Sequence, residues 1–285
     1  MRYEVWDVFT ERAFGGNQLA VVWDEGLSDA ARRALAGEFN FAETTFVTEI
    51  GPDGASVRIL TPTEELPFAG HPLIGTACAL AQDGMASPMT LRIGVGPIAA
   101  EASAAHGTGQ AAFRTTKPLE RIETIPSDLV ADCLSLPTAA LMQGTVRASL
   151  GTPFVLAELA DPMQLDAAHP DADAFGLLAE RHPSSLRPAI YLWTRDGGEV
   201  QARMMGHAGR PYEDPATGSA AATLAALIAE DGGPPELSIR QGEAMGRPSR
   251  IGTAVELSDG RAASVRVSGA AVRVMQGRIE GAVLG

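Results

Sequence analysis

Two segments of the chain repeat the same order of apolar and polar positions. Each begins with a run whose apolar residues alternate as in a half-buried strand, continues through a Pro- and Gly-containing loop into a helix of small apolar residues, and ends in a second strand-like run. The first copy comprises 57–60, 66–81 and 91–96, and the second comprises 200–205, 212–229 and 237–242. An interval of about 150 residues is too long for a solenoid repeat and favours two copies of one domain.

The two predicted helix starts are the places where we expect a ligand. In the second copy, Asp214 is predicted to cap the helix, Pro215 to occupy its first position, and Gly218 with Ser219 to leave its beginning open. Exposed N–H groups and the helix dipole attract anions. Two such starts facing each other across a domain cleft would bind a small carboxylate. An ordinary capped helix remains the alternative from this segment alone.

Upstream of the first copy, the sequence predicts a helix and then a strand that carries a carboxylate. Ser28 is predicted to cap a helix that runs to about Phe39, and 39–47 reads as a strand. Glu43 lies among apolar and neutral residues of that strand. Partial burial would raise the pKa of this carboxyl and suit it to proton transfer near neutral pH. A Glu on the solvent face of a half-exposed strand is the alternative.

His71 lies between Gly70 and Pro72 at the predicted start of the first helix. The positive end of a helix dipole lowers the pKa of a histidine, so a neutral ring could exchange hydrogen bonds with a substrate. A histidine that only caps and packs is the alternative reading.

Length and charge narrow the class of protein. A chain of 285 residues with 45% apolar residues suits two ordinary domains, which we place at 1–117 and 118–272. The net charge of −13, with no basic run, argues against nucleic acid or an acidic membrane as partner. No segment has the length of a membrane span, and the first residues lack the apolar core of a signal peptide. We therefore expect a cytoplasmic protein.

The motifs that the chain lacks also restrict its chemistry. Cys78 and Cys133 are far apart in sequence and show no metal-ligand spacing, so both read as structural thiols. No dinucleotide fingerprint, phosphate loop, zinc-binding helix or serine elbow is present, and we expect neither a cofactor nor a metal. With ionisable side chains alone at two helix starts, proton transfer at carbon is the simplest reaction class.

These segments together resemble the PhzF-like family of phenazine biosynthesis isomerases, which shares the diaminopimelate epimerase fold. The resemblance implies an α+β protein of two similar domains, each a curved, mostly antiparallel β-sheet around a central helix, with the site in the cleft. It also implies that the last strand, about 273–285, returns to the first domain. Gln18 stands where many relatives have Pro. The motifs that carry the resemblance are 14–17, 42–44, 68–72, 213–220 and 241–242.

The resemblance assigns roles to particular residues. Glu43 matches the proton-shuttling carboxylate of the family, whereas His71, Asp214 and Ser219 match residues that line the site and position the substrate. The backbone N–H groups of Gly70 and Gly218 would face its carboxylate.

The resemblance also distinguishes between related chemistries. Epimerases of this fold use a cysteine in each helix-start loop, and neither loop of this chain carries a thiol. The expectation is thus a cofactor-independent isomerase with one carboxylate as acid and base, acting on a small-molecule carboxylate, and a homodimer is expected from the family. A lyase or hydratase on a similar substrate, and a non-catalytic small-anion binding protein, remain open alternatives.

Overall fold

The computed structural model describes residues 1–142, 144–184, 186, 188–207 and 209–280. The chain forms two compact units, of which unit 1 comprises 1–114 with the chain from 266 onward and unit 2 comprises 115–265. The domain boundaries at 117 and 272 stay sequence predictions. Residues 281–285 of the expected returning strand lie outside the described residues.

Unit 1 is built from the first eight strands, two helices and the second part of the last strand. Helix α1 spans Asp29–Phe39 and helix α2 spans Gly70–Gln82. The strands are β1 (Arg2–Val8), β2 (Asn17–Trp23), β3 (Glu43–Gly51), β4 (Gly54–Leu60), β5 (Glu65–Leu66), β6 (Met89–Ile93), β7 (Gly96–Ala105) and β8 (Thr108–Thr115).

Unit 2 contains the remaining elements. Its helices are α3 (Ser127–Cys133), α4 (Pro162–Ala167), α5 (Ala172–Arg181) and α6 (Gly218–Glu230), with 3-10 turns at Thr138–Ala140 and Glu243–Met245. Its strands are β9 (Glu120–Thr124), β10 (Val146–Ser149), β11 (Pro153–Glu158), β12 (Ala189–Asp196), β13 (Glu199–His207), β14 (Pro211–Asp214), β15 (Glu236–Gln241) and β16 (Ser249–Ser258). The long strand β17 (Arg261–Arg278) begins in unit 2 and continues into unit 1.

The strands of unit 1 form a closed ring around α2. The hydrogen-bonded order is β17, β1, β2, β3, β4, β6, β7 and β8, which pairs with β17 again. β2 with β3 and β4 with β6 are parallel, whereas β17 with β1, β1 with β2, β3 with β4, β6 with β7 and β7 with β8 are antiparallel. Helix α2 is buried from Gly70 through Leu80 because strands surround it, which explains why the sequence shows small apolar residues on every side rather than one apolar stripe.

Unit 2 repeats this topology with its own strands. Strands β11 and β12 are parallel, as are β13 and β15, and antiparallel pairs flank them as in unit 1. In each unit a short strand, β5 or β14, pairs with the preceding strand and leads into the buried central helix. The predicted fold class, two similar α+β units each built as a mostly antiparallel sheet around a central helix, is confirmed.

The segment before β3 differs in part from the prediction. Ser28 caps α1 as expected, since its Oγ accepts the N–H of Ala31 at 3.2 Å, and the helix ends at Phe39. The prediction of a strand from residue 39 is wrong, because Asn40 takes the left-handed conformation that closes α1 and β3 begins only at Glu43. Asn tolerates that conformation better than most residues. No helix among the described residues is both long and apolar enough to span a membrane.

A buried carboxylate fastens β17 to the first strand of unit 1. Glu4 is 1% exposed, and its two oxygens accept hydrogen bonds from Trp6 Nε1 at 2.8 Å and Arg273 Nη1 at 2.8 Å. Both oxygens therefore have a donor, and the charge is balanced by Arg273. This arrangement keeps β17 in register beside β1, where Glu4 pairs with Gln276.

We expect Glu4→Ala to lower the free energy of unfolding by about 3 kcal/mol, because it leaves Arg273 and the Trp6 N–H without their partner in a buried site. Urea denaturation measures the change. Glu101→Ala is the control, since Glu101 is exposed and lies 3.4 Å from Arg266. It should cost less than about 1 kcal/mol. Equal losses in the two variants would contradict the assigned role of Glu4.

Candidate active site

Glu43 is the first residue of β3 and lies on the face of that strand that points towards α2. Two residues further on, Thr45 accepts a hydrogen bond from Thr76 of α2 at 3.0 Å. Since alternate residues of a strand share a face, Glu43 lies on the same side as Thr45. Its side chain is 17% exposed, so the carboxylate is largely shielded from water yet accessible to a small molecule.

His71 lies in the first turn of α2 and is 4% exposed. Its Nδ1 lies 3.3 Å from Nδ2 of Asn17, the first residue of β2. An amide N–H group only donates, so in this amide orientation the neutral ring accepts at Nδ1 and carries its proton on Nε2. Asn17 had no assigned role in the sequence analysis, although it follows the glycine turn that the motif contains.

Burial lowers the pKa of His71 to about 3, and a hydrogen bond with the backbone of Gln18 offsets a part of that shift. The expected direction is confirmed, and desolvation of the buried ring is its largest cause. The imidazole is therefore neutral at physiological pH.

Glu43 and His71 meet in unit 1. Oε2 of Glu43 lies 3.5 Å from Nε2 of His71, and this nitrogen forms no hydrogen bond within the described part of the chain. A buried N–H without a partner is costly, so its position favours a bound group that completes the bond. The pair therefore consists of a carboxylate that can accept a proton and, 3.5 Å away, a buried ring nitrogen of a neutral imidazole.

Three of the peripheral helices begin with a side-chain cap, whereas within the described residues the peripheral helix α3, like the two central helices, has none. A side chain caps α1, α4 and α5, from Ser28, Asp161 and Asp171 respectively. Within the described residues, no side-chain cap is present at the start of α2 or α6. The first turns of these helices, at Gly70 and at Gly218 with Ser219, therefore keep N–H groups available for an anionic ligand.

Asp214 does not cap α6, which corrects the prediction. The helix begins at Gly218 with Thr217 as its N-cap, so Asp214 ends strand β14 and Pro215 lies outside the helix. Oδ2 of Asp214 instead accepts the hydroxyl of Thr217 at 2.5 Å. The carboxylate thus belongs to a side-chain network and does not cap the helix, and its partner Thr217 had no predicted role.

The predicted site residues are divided between the two units. Unit 1 brings together Glu43, Gly70 and His71, and unit 2 contains Asp214, Gly218 and Ser219. Neither cysteine belongs to a helix start, since Cys78 lies inside α2 and Cys133 at the end of α3. Among the described residues, no three His, Cys, Asp or Glu side chains are grouped so as to hold a metal ion.

Comparison with known proteins gives consistent matches over nearly the whole chain. The family model described as phenazine biosynthesis-like protein matches residues 6–277. An uncharacterized isomerase of Mesorhizobium japonicum is 36% identical over 97% of this chain and 98% of its own length. The trans-2,3-dihydro-3-hydroxyanthranilate isomerase of Pseudomonas aeruginosa is 34% identical over the same shares.

A solved structure matches the fold. The phenazine biosynthesis protein of the PhzF family from Bacillus anthracis superposes with a TM-score of 0.84 over 98% of this chain and 99% of its own, at 22% identity. At this level of identity the likeness concerns the fold, and it agrees with the paired units described above.

The depressed pKa of His71 predicts a dependence of stability on pH. In the unfolded chain the ring takes up a proton as the pH falls through about 6.5, whereas the folded ring stays neutral down to about pH 3. Folding therefore loses stability as the pH falls through this window. We expect the advantage of the wild type over His71→Gln in unfolding free energy to shrink by about 2 kcal/mol between pH 7 and pH 5.

Urea denaturation at both pH values measures this difference. The matched control is His106→Gln, because His106 lies exposed in the turn between β7 and β8. That variant should follow the pH dependence of the wild type. A pH-independent difference between the wild type and His71→Gln would contradict the neutral, buried ring.

Proposed function

The chain belongs to the family of phenazine biosynthesis-like proteins and is an isomerase, and we propose that it moves a proton between two carbon atoms of a small, carboxylate-bearing metabolite. Glu43 is the single acid and base of this reaction. The observation that carries the proposal is the 3.5 Å approach of its Oε2 to the buried Nε2 of His71, which has no hydrogen-bond partner among the residues that the structure describes. This geometry supplies a base and a hydrogen-bond donor at one point.

The proposed reaction balances without any other reactant. The Glu43 carboxylate accepts a proton from one carbon, and the electron pair of that C–H bond shifts through an adjacent double bond to a second carbon. The protonated Glu43 then returns the proton to the second carbon on the same face. The product is an isomer of the substrate, with one C–H bond broken and one formed.

His71 stabilises the negative charge that develops while Glu43 holds the proton. Its ring is neutral because burial keeps the pKa near 3, so the Nε2 N–H acts as a hydrogen-bond donor without exchanging its own proton. Asp214 is proposed to orient a polar group of the same substrate. This division leaves proton transfer to a single side chain.

The carboxylate of the substrate is proposed to bind the backbone N–H groups at Gly70 and Gly218 and the hydroxyl of Ser219. The absence of side-chain caps on these two helices among the described residues supports this role, since capping oxygens would otherwise occupy the donors. The relative from Pseudomonas aeruginosa is named for a cyclic, amino-substituted carboxylate. We propose a substrate of that chemical class for this chain.

The first test is exchange of solvent deuterium into a panel of small cyclic and unsaturated carboxylates, including trans-2,3-dihydro-3-hydroxyanthranilate, followed by mass spectrometry. We expect the wild type to incorporate deuterium into at least one compound, and Glu43→Gln to lose about 10³-fold in rate because the amide cannot accept the proton. Glu49→Gln is the matched control, because Glu49 lies on the same strand with an exposed side chain.

Three other outcomes of this experiment would change the proposed base or the proposed function. Exchange that survives in Glu43→Gln would remove the base assignment from this residue. A product of lower mass would indicate elimination, and hence a lyase. Tight binding of a carboxylate without any exchange would indicate an anion-binding protein.

The raised pKa values of the two cysteine thiols predict that the native protein resists alkylation. Burial raises the pKa of both Cys78 and Cys133 to about 12, with nearby Asp132 and Asp171 adding to the shift of Cys133. Iodoacetamide at pH 8 should therefore leave the native protein unmodified and its exchange activity unchanged, whereas both thiols should react in urea. Intact-protein mass measures the labelling. Rapid labelling accompanied by loss of activity would favour thiol-based proton transfer over the Glu43 mechanism.

A further inference from the structure

Gln241, the last residue of β15, uses every hydrogen-bonding position of its carboxamide. Oε1 accepts from the hydroxyl of Tyr191 at 3.1 Å and from the backbone N–H of Thr217 at 3.2 Å. Nε2 donates to the backbone oxygen of Asp214 at 2.8 Å and to Oγ1 of Thr217 at 3.0 Å. Because both contacts of each atom agree with its donor or acceptor character, the amide has one orientation. Gln241 is 1% exposed, so water does not compete for these bonds.

This orientation fixes the direction of the Thr217 hydroxyl. Oγ1 of Thr217 accepts a hydrogen bond from Nε2 of Gln241, so the hydroxyl hydrogen of Thr217 is directed to Oδ2 of Asp214, 2.5 Å away. The hydrogen bond that Tyr191 donates to Oε1 of Gln241 favours the same orientation of the amide. Burial, together with the charge of Asp214, raises the pKa of Tyr191 above its usual value, so this side chain stays protonated and donates to Gln241.

The backbone around Gln241 is packed against the same loop. Gly242 has a φ of +79°, and a Cβ at this position would lie 2.5 Å from the backbone oxygen of Pro215. Ser249 Oγ donates to that oxygen at 2.9 Å. The end of β15 and the loop 214–217 therefore form one hydrogen-bonded body, which we name the Gln241 network: Tyr191, Asp214, Thr217, Gln241 and Gly242.

We propose that Gln241 is a positioning residue that acts through Thr217 to hold the carboxylate of Asp214 in one orientation. This inference rests on the proposed function in one respect, because it is in that function that Asp214 orients a polar group of the substrate. Glutamine suits the position because a carboxamide both accepts from the Thr217 N–H and donates to the Thr217 hydroxyl. A carboxylate or an apolar side chain cannot do both.

The test uses paired variants of Thr217 and of Gln241, two members of the Gln241 network. Thr217→Val removes the hydroxyl and should lower kcat by about 10- to 100-fold, because a small misplacement of a group that contacts the substrate slows the reaction strongly. Thr217→Ser keeps the hydroxyl and should stay within about 3-fold of the wild type. Thermal unfolding of both variants shows whether the fold is kept. Loss of kcat in both variants at unchanged stability would contradict the proposal that the Thr217 hydroxyl positions Asp214.

Gln241→Glu tests the direction of the bonds. Above its own pKa the introduced carboxylate attracts the Thr217 hydroxyl proton away from Asp214, whereas the protonated acid donates to Thr217 and restores the original direction. The ratio of kcat in Gln241→Glu to kcat in the wild type should therefore rise as the pH falls. The matched control is Gln201→Glu on the adjacent strand β13, where Gln201 bonds to Glu243 at the surface, and its ratio should be constant. A constant ratio in Gln241→Glu would overturn the proposal.

A measurement without substrate separates the positioning role from the proposed function. The carboxyl carbon-13 resonance of Asp214, assigned with Asp214→Asn, should shift at pH 7 in Thr217→Val and Gln241→Glu but not in Thr217→Ser or Gln201→Glu. If these shifts occur while the wild type converts no compound of the panel, the proposed function fails and the network stands. If the wild type is active and Thr217→Val neither shifts the resonance nor lowers kcat, the positioning role fails alone.

Discussion

Enclosing a helix within a curved sheet is the constraint on which both units depend. Strands contact α2 and α6 on several sides, so the helices are built from small apolar residues, and their first turns are buried except at Ser219 of α6, which is partly exposed. The peripheral helices α1, α4 and α5 receive a side-chain cap from Ser28, Asp161 and Asp171, whereas α3 starts at Pro126 without one among the described residues. A central helix without such a cap leaves backbone donors whose desolvation must be compensated, and a bound anion is the partner with the strongest interaction.

In both units a carboxamide side chain contacts a residue at the start of the central helix, although the side chains involved differ. In unit 1 the carboxamide of Asn17 contacts His71 in the first turn of α2, and in unit 2 the carboxamide of Gln241 contacts Thr217 at the N-cap of α6. Each carboxamide adjoins a glycine with positive φ, Gly16 at +61° and Gly242 at +79°, where a Cβ would lie within 2.5 Å of a backbone oxygen. Only glycine allows the backbone to pass so close at these two positions, and in each unit the carboxamide beside that glycine contacts a residue at the start of the central helix.

The sequence was sufficient for features that depend on local pattern. The repeat, the two central helices and the cap of α1 by Ser28 follow from periodicity and capping preferences, and the structure confirms them. Asp214 was mistaken for a cap because Asp followed by Pro is typical of a helix start, whereas its actual partner, Thr217, is itself oriented by Gln241 from a strand that follows the helix. Tyr191 and Gln241 are 50 residues apart in sequence, and no local pattern predicts their contact.

The burial that lowers the His71 pKa has a consequence for the chemistry proposed at Glu43. A helix dipole alone would lower this pKa modestly and leave the ring to titrate within a few units of neutrality. Burial displaces the titration to about pH 3, so the ring cannot become an imidazolium 3.5 Å from the carboxylate at physiological pH. An imidazolium at that distance would stabilise the carboxylate and make it a weaker base. In the proposed reaction, a neutral ring stabilises charge on the substrate through one N–H while leaving Glu43 basic, which is the combination that proton abstraction from carbon requires.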